Sequence, residues 1–282
     1  MTSETRPNIS LNTATLVAFD TETTGLFAPS NRLVEIAGMK FRLNDPLVQT
    51  FQSLINPERP IPEDVIQIHG ITDAVVANAE TAGPVLATFL AFCGEESILV
   101  AHNALFDLSF LYCELQRVGL PMPTNRVIDT VDLYKRLYPD LGSYSLQSLI
   151  ERFKLADSQK HRALADAECV MRLLRRAGDD FVPTGIPPGI ETSLTVYGLS
   201  DWSAEAMELP SEHAALGLAV QLGLRVEITY AGSGQNAKTR TIRPMYLATQ
   251  NGARYLTAYC ELAQAERTFR LDRIVSFRLL SD

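Results

Sequence analysis

Apolar positions along this chain recur with two different periods, and the change of period divides it into parts. Leu16, Val17, Ala18 and Phe19 form an unbroken apolar run inside Thr15 to Asp20, as expected of a buried strand. Thr23, Thr24 and Gly25 stop it. Leu33 to Phe41 and Leu47 to Leu54 predict two further strands, joined by a turn at Asn44, Asp45 and Pro46, so the chain opens as an antiparallel meander. The period then lengthens. Pro62 to Ile68, Pro84 to Phe92, Leu105 to Val118, Tyr144 to Phe153 and Ala163 to Arg176 predict helices, with short strands at Ile98 to Ala101 and Val127 to Asp129 between them. The expected architecture is α/β, a mixed sheet flanked by helices.

A break follows. Gly178 to Gly189 contains Pro183, Pro187, Pro188 and Gly185, a stiff linker composition, and Glu191 to Pro210 is weakly patterned. A short helix from Glu212 then precedes strands at Arg225 to Tyr230, Thr239 to Leu247, Arg254 to Cys260 and Thr268 to Leu280, separated by Gly- and Asn-containing turns. The expected division is a first domain over 14–177, a linker over 178–210 and a small β domain over 211–282.

Composition changes this picture little. A chain of 282 residues, 46% hydrophobic, can bury one good core and a smaller second one. No apolar run is long enough to span a bilayer, and the polar start, Met1 to Thr13, lacks a secretory pattern, so no membrane partner and a cytoplasmic location are expected. The four scattered cysteines read as buried apolar residues rather than as a disulfide framework or a zinc site. Net charge is −8, unevenly spread: residues 211–282 carry +3 and the remainder −11. An acidic protein can still act on a polyanion when cations neutralise its site, and a basic module would help to hold it.

Four carboxylates stand where burial would disfavour them. Asp20 and Glu22 end the first strand, two apart and so on one side of it, ahead of a Thr-Thr-Gly turn; a solvated strand end is the plainer alternative. Asp107 falls within the apolar stripe Ala104, Leu108, Leu111, Leu115 of a helix for which Asn103 is a credible cap. Favourable placement in the helix dipole is the competing reading. Asp166 lies on the row Ala163, Val170, Leu174, while Glu168 and Arg172 pair on another side. Its only local partner, Arg162, stands at the helix entrance, so Asp166 calls for a metal or a more distant group. His161 is a loop histidine of little meaning alone. Five residues ahead of such an acid, it fits a general base for a water nucleophile.

Val17 to Leu26 (VAFDTETTGL), Val100 to Leu111 (VAHNALFDLSFL) and His161 to Glu168 (HRALADAE) resemble the three ordered motifs of the DEDDh, or DnaQ-like, 3′→5′ exonucleases. The resemblance implies a ribonuclease H-like fold and two Mg²⁺ or Mn²⁺ ions held by Asp20, Glu22, Asp107 and Asp166. It also implies that His161 deprotonates the attacking water, with release of 5′-mononucleotides. Thr23, Gly25, Leu26, His69, Asn103 and Phe106 would line the pocket of the terminal nucleotide. Oxygen ligands without thiolates agree with Mg²⁺ or Mn²⁺.

Thr241 to Leu247 (TIRPMYL), Tyr255 to Leu262 (YLTAYCEL) and Arg267 to Ile274 (RTFRLDRI) resemble the WYL domain, a small β-barrel; Arg254 stands where the motif has its tryptophan. That resemblance implies binding of a nucleotide or single-stranded nucleic acid, with Arg243, Tyr246, Arg254, Arg267, Arg270 and Arg273 as contacts. A structural or dimerising role is the alternative. The combined expectation is an exonuclease on DNA, single-stranded ends foremost. Its rivals are an RNA-trimming enzyme of the same family and a non-catalytic nucleic-acid-binding regulator.

Overall fold

Strand β1 (Leu16–Thr23) lies at the middle of a six-stranded sheet because its apolar half, Leu16 to Phe19, has no access to solvent. It pairs antiparallel with β2 (Leu33–Phe41), which pairs antiparallel with β3 (Val48–Leu54), completing the meander. On its other side β1 runs parallel to β4 (Ile98–Ala101), and β4 parallel to β5 (Arg126–Asp129). The computed structural model describes residues 11–181, 196–198, 209, 211–232, 237–250 and 252–280. Among these, β6 (Val196–Gly198) adds an antiparallel edge strand to β5, giving the order β3-β2-β1-β4-β5-β6. This edge strand falls inside the stretch expected to be linker. The rest of that stretch beyond Phe181, apart from Leu209, lies outside the described residues.

The helices are α1 (Glu63–His69), α2 (Asp73–Val76), α3 (Ala82–Cys93), α4 (Ala104–Val118), α5 (Thr130–Leu137), α6 (Leu146–Phe153) and α7 (Ala163–Phe181). Two were not expected. Helix α2 is a single turn, and α5 begins directly at the end of β5, where the Asp129 side chain caps it by accepting Val131 N–H. Helix α7 runs five residues past Arg176. It packs on β1 and β2, and Val170, Leu173 and Leu174 join Leu16, Ala18 and Met39 in the main core.

The C-terminal strands form a second, antiparallel sheet in the order β10-β9-β8-β7-β11, under helix α8 (Ala214–Leu222). They are β7 (Val226–Tyr230), β8 (Lys238–Gln250), β9 (Ala253–Cys260), β10 (Ala265–Arg270) and β11 (Ile274–Leu279). The expected strand over 268–280 is in fact two strands at opposite edges of this sheet. Leu271 turns inward to burial, and residues 271–273 make one 3₁₀ turn that breaks the run. The described residues of the expected small β unit make this five-stranded sheet, whose core gathers Leu216, Val226, Ile242, Leu256 and Phe269.

The chain falls into two compact units, and their membership differs from a simple division in sequence order. The first comprises the described parts of residues 1–24, 33–108 and 123–198; the second gathers residues 25–32 and 109–122 with 199–282. In the second unit, the Pro29 carbonyl accepts the hydroxyls of Thr268 at 3.0 Å, Thr257 at 3.3 Å and Tyr246 at 3.4 Å. Arg32 grips Glu266 through both guanidinium nitrogens, at 2.6 and 3.2 Å. No helix among the described residues is long and apolar enough to cross a membrane.

Candidate active site

Alternation along β1 puts Asp20 and Glu22 on one side and Thr21 on the other. Helix α7 brings Asp166 to the side of the two acids, and carboxylate oxygens of Asp20, Glu22 and Asp166 lie within 4.8 Å of one another. Asp107, in the first turn of α4 and 2% exposed, is not part of that trio. Its Oδ1 accepts a 2.7 Å hydrogen bond from the hydroxyl of Thr21.

The carboxyls are electrostatically strained. Burial raises the pKa of Asp20 well above the usual range, and Asp107, Glu22, Asp166 and Glu35 add to the rise. Burial and then Asp166 push Glu22 up to about 8. Burial moves Asp107 to about 7 against the Thr21 hydrogen bond, and it also raises Asp166. Without added positive charge Glu22 and Asp107 hold protons near neutrality, and a divalent cation is the natural replacement. The donors fit a hard ion, because all of them are carboxylate oxygens. The nearby Cys169 thiol, raised by burial to about 11, stays protonated and supplies no thiolate.

Asp166 is oriented from its own loop: Gln159 Nε2 donates to Oδ2 at 2.7 Å and the Lys160 amide to Oδ1 at 3.3 Å. Arg162, its nearest cation in sequence, is engaged elsewhere, on Glu35. His161 is exposed, with a left-handed backbone at φ 49°.

The residues expected around a terminal nucleotide are distributed as follows. His69 is buried and accepts the Ile71 amide at Nδ1, which leaves Nε2–H to donate to the Thr23 carbonyl at 3.3 Å. Burial lowers its pKa, consistent with a neutral ring. Asn103 is exposed with φ 61°, a conformation that asparagine tolerates, and Phe106 is half-buried. The amides of Asn103 and Ala104 donate to Asp129 at 2.9 and 3.1 Å, so Asp129 holds the start of α4 as well as of α5. Sequence reasoning missed this residue, although an Asp between a strand and a helix is an ordinary capping signal. Gly25 and Leu26 belong to the second unit. Gly25 has φ 155°, a Cβ there would come within 2.7 Å of Asn31 Oδ1, and Leu26 is 76% exposed.

The six expected contacts of the C-terminal unit differ in exposure and pairing. Tyr246 is buried, its hydroxyl accepts from Arg117 Nη2 at 2.6 Å, and it is therefore withdrawn as a nucleic-acid contact. Arg254 and Arg267 are exposed. Arg243 joins Arg225 on Glu261 beside an open groove of about 900 Å³, also lined by Met245 and Tyr259. Arg270 pairs with Asp272 at 2.6 Å, and Arg273 is half-buried.

With an acidic centre on this sheet, comparison with known proteins identifies the class. Residues 17–174, more than half of the chain, match the exonuclease family, and the chain belongs to it; residues 213–279 match the WYL domain. The first part is thus a 3′→5′ exonuclease domain. Among curated relatives, the PolC-type DNA polymerase III of Streptococcus sanguinis (strain SK36) is 40% identical over 167 residues, 59% of this chain and 11% of the relative. That of Listeria monocytogenes is 38% identical over 166 residues, with the same shares, so the chain spans about a tenth of the length of the curated relatives it matches. Among solved structures, the nuclease domain of 3′hExo, a DEDDh family member bound to rAMP, aligns with a TM-score of 0.54 at 20% identity. It covers 65% of this chain and 96% of that one.

Proposed function

We propose that this protein is a metal-dependent exonuclease that removes 5′-mononucleotides from the 3′ end of DNA, single-stranded ends foremost. The observation that carries this reading is the convergence of Asp20, Glu22 and Asp166 within 4.8 Å, with Asp107 raised in pKa beside them. In this reading Asp20, Glu22, Asp107 and Asp166 hold Mg²⁺ or Mn²⁺, two ions in all. Such ions supply positive charge to the entering and leaving oxygens of phosphodiester hydrolysis.

The protein's own groups do the rest. His161, exposed ahead of α7, accepts the proton of the attacking water. Gln159 and the Lys160 amide keep Asp166 turned, and Thr21 does the same for Asp107. Thr23, His69, Asn103 and Phe106 seat the terminal nucleotide. The sequence similarity to DNA polymerases supports DNA over RNA as substrate. Exposed Arg254 and Arg267, with Arg243 at the groove, make the WYL domain a holder of single-stranded nucleic acid or a nucleotide. The cytoplasm is the proposed compartment.

The test is digestion of end-labelled single-stranded DNA, duplex DNA and RNA with Mg²⁺, Mn²⁺ or chelator. The expected result is metal-dependent shortening of DNA from the 3′ end with mononucleotide products. Equal or faster shortening of RNA would reassign the substrate, and full activity in chelator would overturn the metal assignment.

A further inference from the structure

Glu35 is the one ionisable residue with no solvent exposure in the described core of β2, a strand otherwise of apolar residues, Gly38 and Lys40. The register of β1 and β2 sets it directly opposite Glu22. A buried carboxylate facing another carboxylate is unfavourable on both counts, so its neighbours must compensate. They do so completely. Arg162 donates from Nη2 to Oε1 at 2.7 Å and from Nε to Oε2 at 3.0 Å. The Ala163 amide adds a 3.0 Å bond to Oε2, and Gln52 Nε2 a 2.9 Å bond to Oε1. These bonds hold Glu35 below the usual carboxylate range although burial acts to raise it.

Three of the four bonds come from residues 162 and 163, immediately after His161. A two-pronged arginine–carboxylate contact fixes direction as well as distance. The same segment is tied at its other end, where the Gln159 amide donates to Gln147 Oε1 at 2.8 Å. His161 sits between these anchors in a left-handed backbone that is uncommon for a non-glycine residue. We infer that Glu35, through Arg162 and the Ala163 amide, is a positioning residue that sets how the His161 turn meets the Asp20, Glu22 and Asp166 cluster. The inference rests on His161 acting as the base. It assigns Glu35 a task in the reaction without making it a metal ligand.

The experiment compares full-length wild type, Glu35→Gln, His161→Ala and the double variant on labelled single-stranded DNA with Mn²⁺. Mn²⁺ binding is followed by calorimetry and folding by thermal unfolding. Glu35→Gln keeps the shape but opposes an amide to Arg162. The expected result is kcat lowered about tenfold or more, with KM and the Mn²⁺ midpoint within about twofold of wild type. In the His161→Ala background the same change should cost nothing further. A wild-type kcat for Glu35→Gln beside a slow His161→Ala overturns the inference alone, and so does a loss that multiplies with that of His161→Ala or follows weakened Mn²⁺ binding. A wild-type kcat for His161→Ala overturns the base assignment and the inference with it. Should Glu35→Gln not fold, Arg162→Gln interrupts the link from its half-exposed side and is judged by the same outcomes.

Discussion

Thr21 holds Asp107 from the far side of β1: its hydroxyl donates to Asp107 Oδ1 at 2.7 Å, between two acids that point the other way. The strand therefore contributes to the acidic centre from both faces. Thr21→Val keeps the shape but removes the side-chain donor to a buried carboxyl that is left with backbone hydrogen bonds alone, and we expect a loss of about 1 kcal/mol in stability. Nuclease activity should fall with it, whereas Thr21→Ser should retain both. Urea unfolding and a single-turnover assay on the three proteins check this.

Asp20→Asn and Asp166→Asn each remove one charge from a cluster in which burial raises both of these carboxyls and Asp166 raises Asp20 and Glu22 further. Both should abolish Mg²⁺-dependent nucleotide release. In chelator both should unfold at the wild-type temperature or above it, because relief of repulsion offsets the substitution. Thermal scans in chelator, paired with activity in Mg²⁺, test the two halves separately.

The cluster also imposes a pH dependence. Glu22 ionises near its ordinary 4.5 when unfolded and at about 8 when folded; for Asp107 the corresponding figures are 3.8 and about 7. Between these limits the folded state binds more protons than the unfolded one, so stability falls as pH rises through the window. Below pH 4 the penalty is absent. The chelated protein should therefore melt higher at pH 5.5 than at pH 8, and Glu22→Gln should flatten that slope. Mn²⁺ should stabilise most at the higher pH. A wild-type slope equal to that of Glu22→Gln would remove Glu22 from the account.

In the second unit, Arg117 is 9% exposed and lies 3.0 Å from Glu114 and 3.3 Å from Glu266, which also receives Arg32. Glu266→Ala should cost about 2–3 kcal/mol, because a buried guanidinium loses one of its two carboxylates. Glu227→Ala, which breaks an exposed pair with Arg278, should cost less than about 0.5 kcal/mol. Urea unfolding of both variants measures the contrast.

Local pattern in the chain already determined much of this. The apolar run before Asp20 and Glu22 required a buried strand, and the rows through Asp107 and Asp166 required two helices with acids on their packed sides. Strand and helix periods are written in neighbouring residues, and a strand's alternation puts two acids on one side without reference to anything distant. Packing decided the rest. Arg162 is only four residues from Asp166, yet it pairs with Glu35, 127 residues away, because the β1–β2 register leaves that carboxylate without solvent. Tyr246 carries the marks of a contact residue in sequence, but Arg117 and Pro29 cover its hydroxyl. The strand expected over 268–280 breaks because Leu271 turns inward to the core of its unit. A partner far away in sequence becomes near only when apolar surfaces close on one another, and that closure chooses which charges meet.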